Sequence, residues 1–130
     1  MPKFSRQSKD ILNSCHNDLQ VLMYAVVKQY DIKIAEGHRG EADQNRYEAQ
    51  GFSKLKFPDS KHNKWPSLAV DVDPYPIDFN KKERYYYMAG VVMVVAYKMG
   101  IKIRWGGDWD GDKDFYDQQL YDLRHFELVI

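Results

Sequence analysis

The chain has 130 residues, 44% of them hydrophobic and 15% aromatic, which is enough for one hydrophobic core and excludes disorder over most of its length. Lysine plus arginine number 19, as do aspartate plus glutamate, so no net charge attracts nucleic acid or anionic lipid. The single cysteine, Cys15, excludes an intramolecular disulfide and is expected to be a small buried hydrophobe on a helix.

The sequence carries no recognisable signal for export or membrane insertion. Met1 to Ser5 lead into polar residues without an apolar signal core. The most apolar run, residues 88–99, is too short to span a bilayer. We therefore expect a single domain over residues 1–130, without stable membrane insertion, that is stored in the cytoplasm where it is made.

Helical spacing dominates the first thirty residues. Apolar residues recur every three or four positions from Leu12 to Tyr30 and predict one helix that begins at a Ser8 cap. His16 lies beside this stripe and is expected to be solvated or to cap a helix.

A strand, a polar helix and a loop are predicted next. Residues 32–36 alternate in the manner of a short strand, which residues 37–40 end. Residues 41–50 are polar and favour a helix, and Gly51 is a typical stop signal. Residues 52–65 have the turn signals of a loop.

The second half of the chain combines strands with a long apolar helix. Residues 68–73 alternate and predict a strand with Asp71 and Asp73 on one face. Asp78 or Asn80 is expected to cap a helix through about residue 98 that is apolar on nearly all sides, as a central buried helix is.

The remaining elements define the fold class. Residues 101–105 alternate as a strand does, and residues 126–130 predict a final strand with His125 and Glu127 at its start. The order α, β, α, β, α, β, β predicts a compact α+β domain with a small, mainly antiparallel sheet.

Two histidines and an aspartate form a plausible ligand set for a catalytic zinc ion. His62 lies in the predicted loop, Asp71 on the strand after it, and His125 near the C-terminus. Imidazole and carboxylate are ordinary zinc donors, and catalytic zinc takes three protein ligands and keeps one position for water. The alternative is that these are unrelated polar residues.

Polar side chains near this set can act beside a metal. Asp122 precedes His125 by three residues, which in a helical turn places both on one side, so it can accept a proton from an activated water or merely cap the turn. Arg39 can bind a substrate carboxylate, stabilise an oxyanion or form a structural salt bridge. Ser60 and Gln44 are expected to contact the substrate.

An acidic loop offers a second possible metal site. Asp108, Asp110, Asp112 and Asp114 alternate, which is a spacing that calcium loops use. Gly111 comes too early for an EF-hand, and no glutamate stands at the twelfth position. Calcium binding is one interpretation and a solvated acidic turn is the other.

Five short motifs along the chain, taken together, carry a family resemblance. They are Ser60-x-His62, Ala69-Val-Asp71, Trp105-Gly-Gly-Asp108-Trp, Asp122-x-x-His125-Phe-Glu and Gly37-His-Arg39 followed by Gln44-Asn45. This set resembles the zinc DD/LD-peptidases and, among them, the phage endolysins that act as L-alanyl-D-glutamate peptidases. The resemblance runs from Ser5 to Leu128.

The resemblance implies a role for each motif residue. The zinc ligands would be His62, Asp71 and His125, the catalytic carboxylate Asp122, and the transition-state arginine Arg39. It also implies the Hedgehog/DD-peptidase-like α+β fold. The longer gap between the first two ligands resembles the phage subgroup, whereas many relatives outside it have glutamate where Asp122 stands.

The leading hypothesis from the sequence is a monomeric zinc endolysin. It would hydrolyse the L-alanyl-D-glutamate bond of peptidoglycan, wait in the host cytoplasm and act once the membrane is permeabilised. One alternative is a D-alanyl-D-alanine carboxypeptidase or dipeptidase with the same site. The other is a non-catalytic, metal-stabilised wall-binding module, against which Asp122 argues because a structural zinc site needs no base.

Overall fold

A computed structural model describes residues 2–108 and 122–130 as helices packed on a four-stranded sheet. The elements are α1 (Arg6–Leu12), α2 (Asn17–Val27), β1 (Ile32–Glu36), α3 (Glu41–Ala49), a 3-10 turn (Lys61–Asn63), β2 (Ala69–Pro74), α4 (Lys82–Met99), β3 (Ile103–Gly106) and β4 (Asp122–Leu128). The strand order is β1-β2-β4-β3, and each neighbouring pair is antiparallel, which confirms the predicted α+β class.

The single helix predicted from Ser8 is in fact two helices. The chain leaves the helical path after α1 because its backbone pairs elsewhere: Ser67 N donates to Ser14 O (2.9 Å), and His16 N donates to Ser67 O (2.8 Å). His16 then caps α2, its Nδ1 accepting from Asp18 N at 3.0 Å. The break therefore ties the first helices to the segment that leads into β2.

The cap of α1 also differs from the prediction. Ser5, not Ser8, is the N-cap, and its hydroxyl accepts from Ser8 N at 3.2 Å. Ser8 is buried and accepts from Ile34 N at 3.1 Å, so its hydroxyl joins α1 to β1. Cys15 is buried, as predicted, but it lies between α1 and α2 in a β-bridge to Ser67 and not on a helix.

The hydrophobic core lies between the sheet and helices α2 and α4. Burying each large aliphatic or aromatic side chain contributes about 1.5–3 kcal/mol, so this layer holds the sheet in place. The fully buried members include Leu19, Leu22, Met23, Val26, Val70, Val72, Met88, Val92 and Phe126.

Helix α4 is less buried than its composition predicts. One face packs on α2 and the sheet, but Tyr87, Val94 and Tyr97 on the other face are exposed. The helix begins after Lys81, without a side-chain cap from Asp78 or Asn80. Among the described residues, no helix is long and apolar enough to cross a membrane.

Candidate metal centre and active site

Three ligand atoms converge where the central strands β2 and β4 pair. His62 Nε2 lies 3.2 Å from both Asp71 Oδ1 and His125 Nδ1, and these last two atoms are 3.3 Å apart. Ligands about 2.0 Å from a tetrahedral zinc ion lie about 3.3 Å from one another. The triangle therefore has the dimensions of one face of a tetrahedral metal site, and the predicted ligands are brought together.

The outer nitrogen of each histidine is already engaged. His62 Nδ1 donates to the Gly37 carbonyl at 2.7 Å, and His125 Nε2 donates to Glu127 Oε1 at 2.8 Å. With the protons on these outer nitrogens, both inner nitrogens present lone pairs to the Asp71 carboxylate. Three acceptors facing one another require a cation between them, which is the arrangement that a metal satisfies.

The electrostatics agree with a site for one positive charge. Burial opposes ionisation of Asp71, but the charges and hydrogen bonds of His62 and His125 outweigh it and hold the pKa of Asp71 well below its ordinary value. Burial likewise opposes a charged His125, but hydrogen bonds to Asp71 and Glu127 raise its pKa to about 9. Either a proton or a metal ion can supply the charge.

Sheet pairing and a capped turn position the three ligands. Asp71 and His125 are directly opposite on β2 and β4, so both project from the same face. His62 comes from the 3-10 turn, where Ser60 Oγ accepts from His62 N at 3.2 Å and Asn63 Oδ1 accepts from Ser60 N at 3.1 Å. Arg39 N donates to His62 O at 2.8 Å and holds this turn beside the site.

Asp122 lies on β4, not in the predicted helical turn. In a regular strand an offset of three residues would put Asp122 and His125 on opposite faces. Instead, Trp105 pairs with Phe126 while Gly106 pairs with Asp122, so β4 carries three extra residues at this point. This bulge re-aims the strand, a common use of bulges next to active sites.

Asp122 is within electrostatic reach of the ligand triangle. Burial raises the pKa of its carboxyl above the ordinary value, and the negative charge of Asp71 raises it further, against the opposing effect of His125. The close strand approach depends on Gly106, because a Cβ there would lie 2.1 Å from the Asp122 carbonyl oxygen.

Arg39 is a nearly buried guanidinium beside the triangle. Its Nε donates to Glu36, its Nη1 donates to Gln44 Oε1 at 2.8 Å, and its Cζ lies 4.6 Å from the centre of the Tyr47 ring. Its Nη2 is 3.9 Å from Asp71 Oδ2, the oxygen that does not belong to the triangle. The side chain is therefore held in one orientation with its charge at the site.

Gln44 and Ser60 have different surroundings from those expected of substrate contacts. Gln44 is fully buried; its Oε1 accepts from Arg39 and Asn63, and its Nε2 donates to Ser53 Oγ and Leu55 O. Ser60 is also buried and caps the 3-10 turn. Gln44 therefore supports Arg39, and Ser60 supports the turn that carries His62. Because both side chains are buried, direct contact with a substrate does not fit their positions.

The sequence reasoning gave no role to Glu127. Its carboxylate accepts from His125 Nε2, and its position two residues after His125 on a strand was the available signal, because alternate residues share a face. The calcium hypothesis stays a prediction, since Asp110, Asp112 and Asp114 lie outside the described residues.

A His-Asp-His ligand set beside a separate carboxylate and an arginine has the composition of a mononuclear metallohydrolase centre. The family model for phage L-alanyl-D-glutamate peptidases matches residues 1–129, and the chain belongs to this family. The resemblance inferred from the motifs is thus confirmed.

Two relatives illustrate the similarity. The L-alanyl-D-glutamate peptidase of Escherichia phage T5 is 32% identical, over 98% of this chain and 98% of the relative. The crystal structure of the Serratia marcescens L-Ala D-Glu endopeptidase ChiX matches with a TM-score of 0.76 and 26% identity, over 98% of this chain and 90% of that one.

Proposed function

We propose that this protein is a zinc-dependent endolysin that hydrolyses the L-alanyl-D-glutamate bond of peptidoglycan stem peptides. The observation that carries the proposal is the triangle of His62, Asp71 and His125, whose inner atoms lie 3.2–3.3 Å apart. The family and the names of both relatives support this choice of bond. In this proposal the protein acts as a monomer and reaches the wall from the host cytoplasm after the membrane is permeabilised.

The donor set favours zinc over other common metals. Two imidazole nitrogens and one carboxylate oxygen suit zinc, whereas magnesium and calcium prefer all-oxygen sites. With three protein ligands, the site would keep one position for water or substrate. A zinc ion held there would polarise the scissile carbonyl and lower the pKa of a water molecule.

Asp122 is the proposed general base. A base works best when its pKa lies near the working pH, since it must first take a proton and later return it. Burial and the neighbouring Asp71 charge move the pKa of Asp122 upward, toward that range. The carboxylate would take the proton of the attacking water and donate it to the leaving D-glutamate amine.

Arg39 is the proposed electrostatic stabiliser. Contacts with Glu36, Gln44 and Tyr47 fix its orientation, so little reorganisation is needed when charge develops nearby. A guanidinium has five N–H donors. Those on Nη2 lie beside Asp71 Oδ2, next to the ligand triangle. They are available to a carbonyl oxygen that gains negative charge as the peptide bond is attacked.

Digestion of purified peptidoglycan tests this function. The zinc-loaded protein should release amino groups, and mass spectrometry should find fragments with a new N-terminal D-glutamate. Protein treated with a chelator should release none until zinc is restored. Release of D-alanine would instead identify the carboxypeptidase activity, and binding without any new amino group would identify a wall-binding module.

A further inference from the structure

Lys61 and Glu127 form an ion pair directly behind the ligand triangle. Glu127 Oε1 accepts from His125 Nε2 at 2.8 Å, while its Oε2 lies 3.3 Å from Lys61 Nζ. Lys61 Nζ also donates to the Leu128 carbonyl. Both carboxylate oxygens thus have separate partners, and Glu127 is only 8% exposed.

This ion pair joins the two elements that supply the histidine ligands. Lys61 immediately precedes His62 in the 3-10 turn, and Glu127 lies on β4 on the same face as His125. The backbone link between these elements is indirect: Leu68 N donates to Lys61 O, and Leu128 N donates to Leu68 O. Lys61 and Glu127 therefore provide a direct connection between the turn and the strand, in addition to the contact between His62 and His125.

A pairing of this kind is not explained by packing alone. An ion pair with one nearly buried partner stabilises a fold little more than apolar side chains of the same size would, because the buried charge loses water. A carboxylate that accepts from the outer nitrogen of a ligating histidine, by contrast, fixes the tautomer and the ring orientation. The hydrogen bond from His125 to Glu127 has this arrangement.

We propose that Glu127 and Lys61 are positioning residues that set the metal affinity of the site. Glu127 holds His125 with Nδ1 turned toward His62 and Asp71, and Lys61 fixes the Glu127 carboxylate. This inference rests on the proposed metal site but is independent of which peptide bond is cleaved.

The test is zinc affinity of the full chain, measured without substrate by competition with a chromophoric chelator. Glu127→Gln keeps the size and one acceptor oxygen but removes the charge, and it should weaken zinc binding about 10- to 100-fold, the usual effect of losing such a partner. Lys61→Met should weaken it less. The fold-loss of zinc affinity in the double variant should be smaller than the product of the two single fold-losses, because each change removes the same pairing.

Arg104→Gln is the matched control. Arg104 is partly exposed and its Nη1 lies 3.9 Å from the same Glu127 oxygen, Oε2. Exposed pairs of this kind are worth at most about 1 kcal/mol, so zinc affinity should change by less than about fivefold. An equal loss in Arg104→Gln and Glu127→Gln would mean that only the general charge of the region matters, and it would overturn the proposal.

Cobalt substitution separates positioning from general folding. The visible absorption bands of bound Co²⁺ report on ligand orientation, so Glu127→Gln should shift them while its circular dichroism stays native. Unchanged bands together with zinc affinity within about fivefold of the wild type would overturn the inference. If Glu127→Gln does not fold, zinc affinity and the Co²⁺ bands are measured for Lys61→Met instead. Wild-type values of both in Lys61→Met would overturn the inference.

Discussion

Asp71 and His125 face each other across β2 and β4, with Asp71 Oδ1 3.3 Å from His125 Nδ1. The antiparallel register fixes this pair, because directly opposite residues project from the same face of a sheet. Only His62 has to be supplied from outside the sheet, and a capped 3-10 turn supplies it. Two ligands are therefore as rigid as the core of the sheet itself.

Removal of either histidine ligand should abolish both metal binding and activity. In His62→Ala or His125→Ala one corner of the triangle is missing, and the remaining two donors are too few for a stable zinc site. Metal analysis of the purified variants measures this directly. His16→Ala is the control, since His16 caps α2 and lies outside the ligand set. Stoichiometric zinc in both ligand variants would contradict the assignment.

Gly106→Ala should damage catalysis more than metal binding. Its Cβ would lie 2.1 Å from the Asp122 carbonyl oxygen, so β4 must shift where it carries the proposed base. We expect turnover to fall by about 10²-fold, the scale for a displacement of about 1 Å, while zinc content is kept. Kinetics and metal analysis on one preparation provide the measurement.

Gly90→Ala is the control for this substitution. Gly90 lies within α4, and a Cβ there meets nothing within 4 Å. Alanine favours helix over glycine by up to about 1 kcal/mol, so this variant should be slightly more stable and fully active. Near-normal turnover of Gly106→Ala would show that the close approach of β3 to β4 does not position Asp122.

Alkaline pH should destabilise the protein through Tyr85. Its hydroxyl donates to Asp73 Oδ1 at 2.8 Å, and burial, followed by this bond, raises the pKa of Tyr85 above its ordinary value of 10.0. The neutral phenol is therefore favoured in the folded state. Its contribution is complete below about pH 10 and is lost as the pH rises toward the higher folded value.

Tyr85→Phe tests this pH dependence. The variant should be less stable at neutral pH by about 0.5–1.5 kcal/mol, the usual value of one hydrogen bond. Above pH 10, however, its free energy of unfolding should fall less steeply than that of the wild type. Denaturant unfolding between pH 8 and 11 measures both the stability and its pH dependence. If the free energy of unfolding changes with pH in the same way in the variant and the wild type, Tyr85 is not the source of the alkaline destabilisation.

Local sequence signals predicted the sheet better than the ligands. The alternation around Asp71 predicted β2, whereas the chemistry of His62, Asp71 and His125 left the ligand set open, and the family resemblance selected the three residues that the structure brings together. Gly100 ended α4 where expected, with φ at 72°, a conformation that glycine adopts without strain.

Features that depend on distant parts of the chain were not predicted. The helix break near Ser14 arises from backbone pairing with Ser67, more than fifty residues away, which no local spacing can reveal. The strand position of Asp122 follows from a bulge opposite β3. Gln44 was expected to contact the substrate, whereas in the structure it is buried and accepts from Arg39 and Asn63.

The most direct test of the whole account is turnover of Asp122→Asn on purified peptidoglycan, measured beside zinc content in the same preparation. Asparagine keeps the size of the side chain but cannot accept a proton at neutral pH. We expect wild-type zinc content and a fall in turnover of about 10²-fold or more, the scale of a general base. Near-normal turnover would remove Asp122 from the mechanism, and loss of zinc would make Asp122 a metal ligand rather than the base.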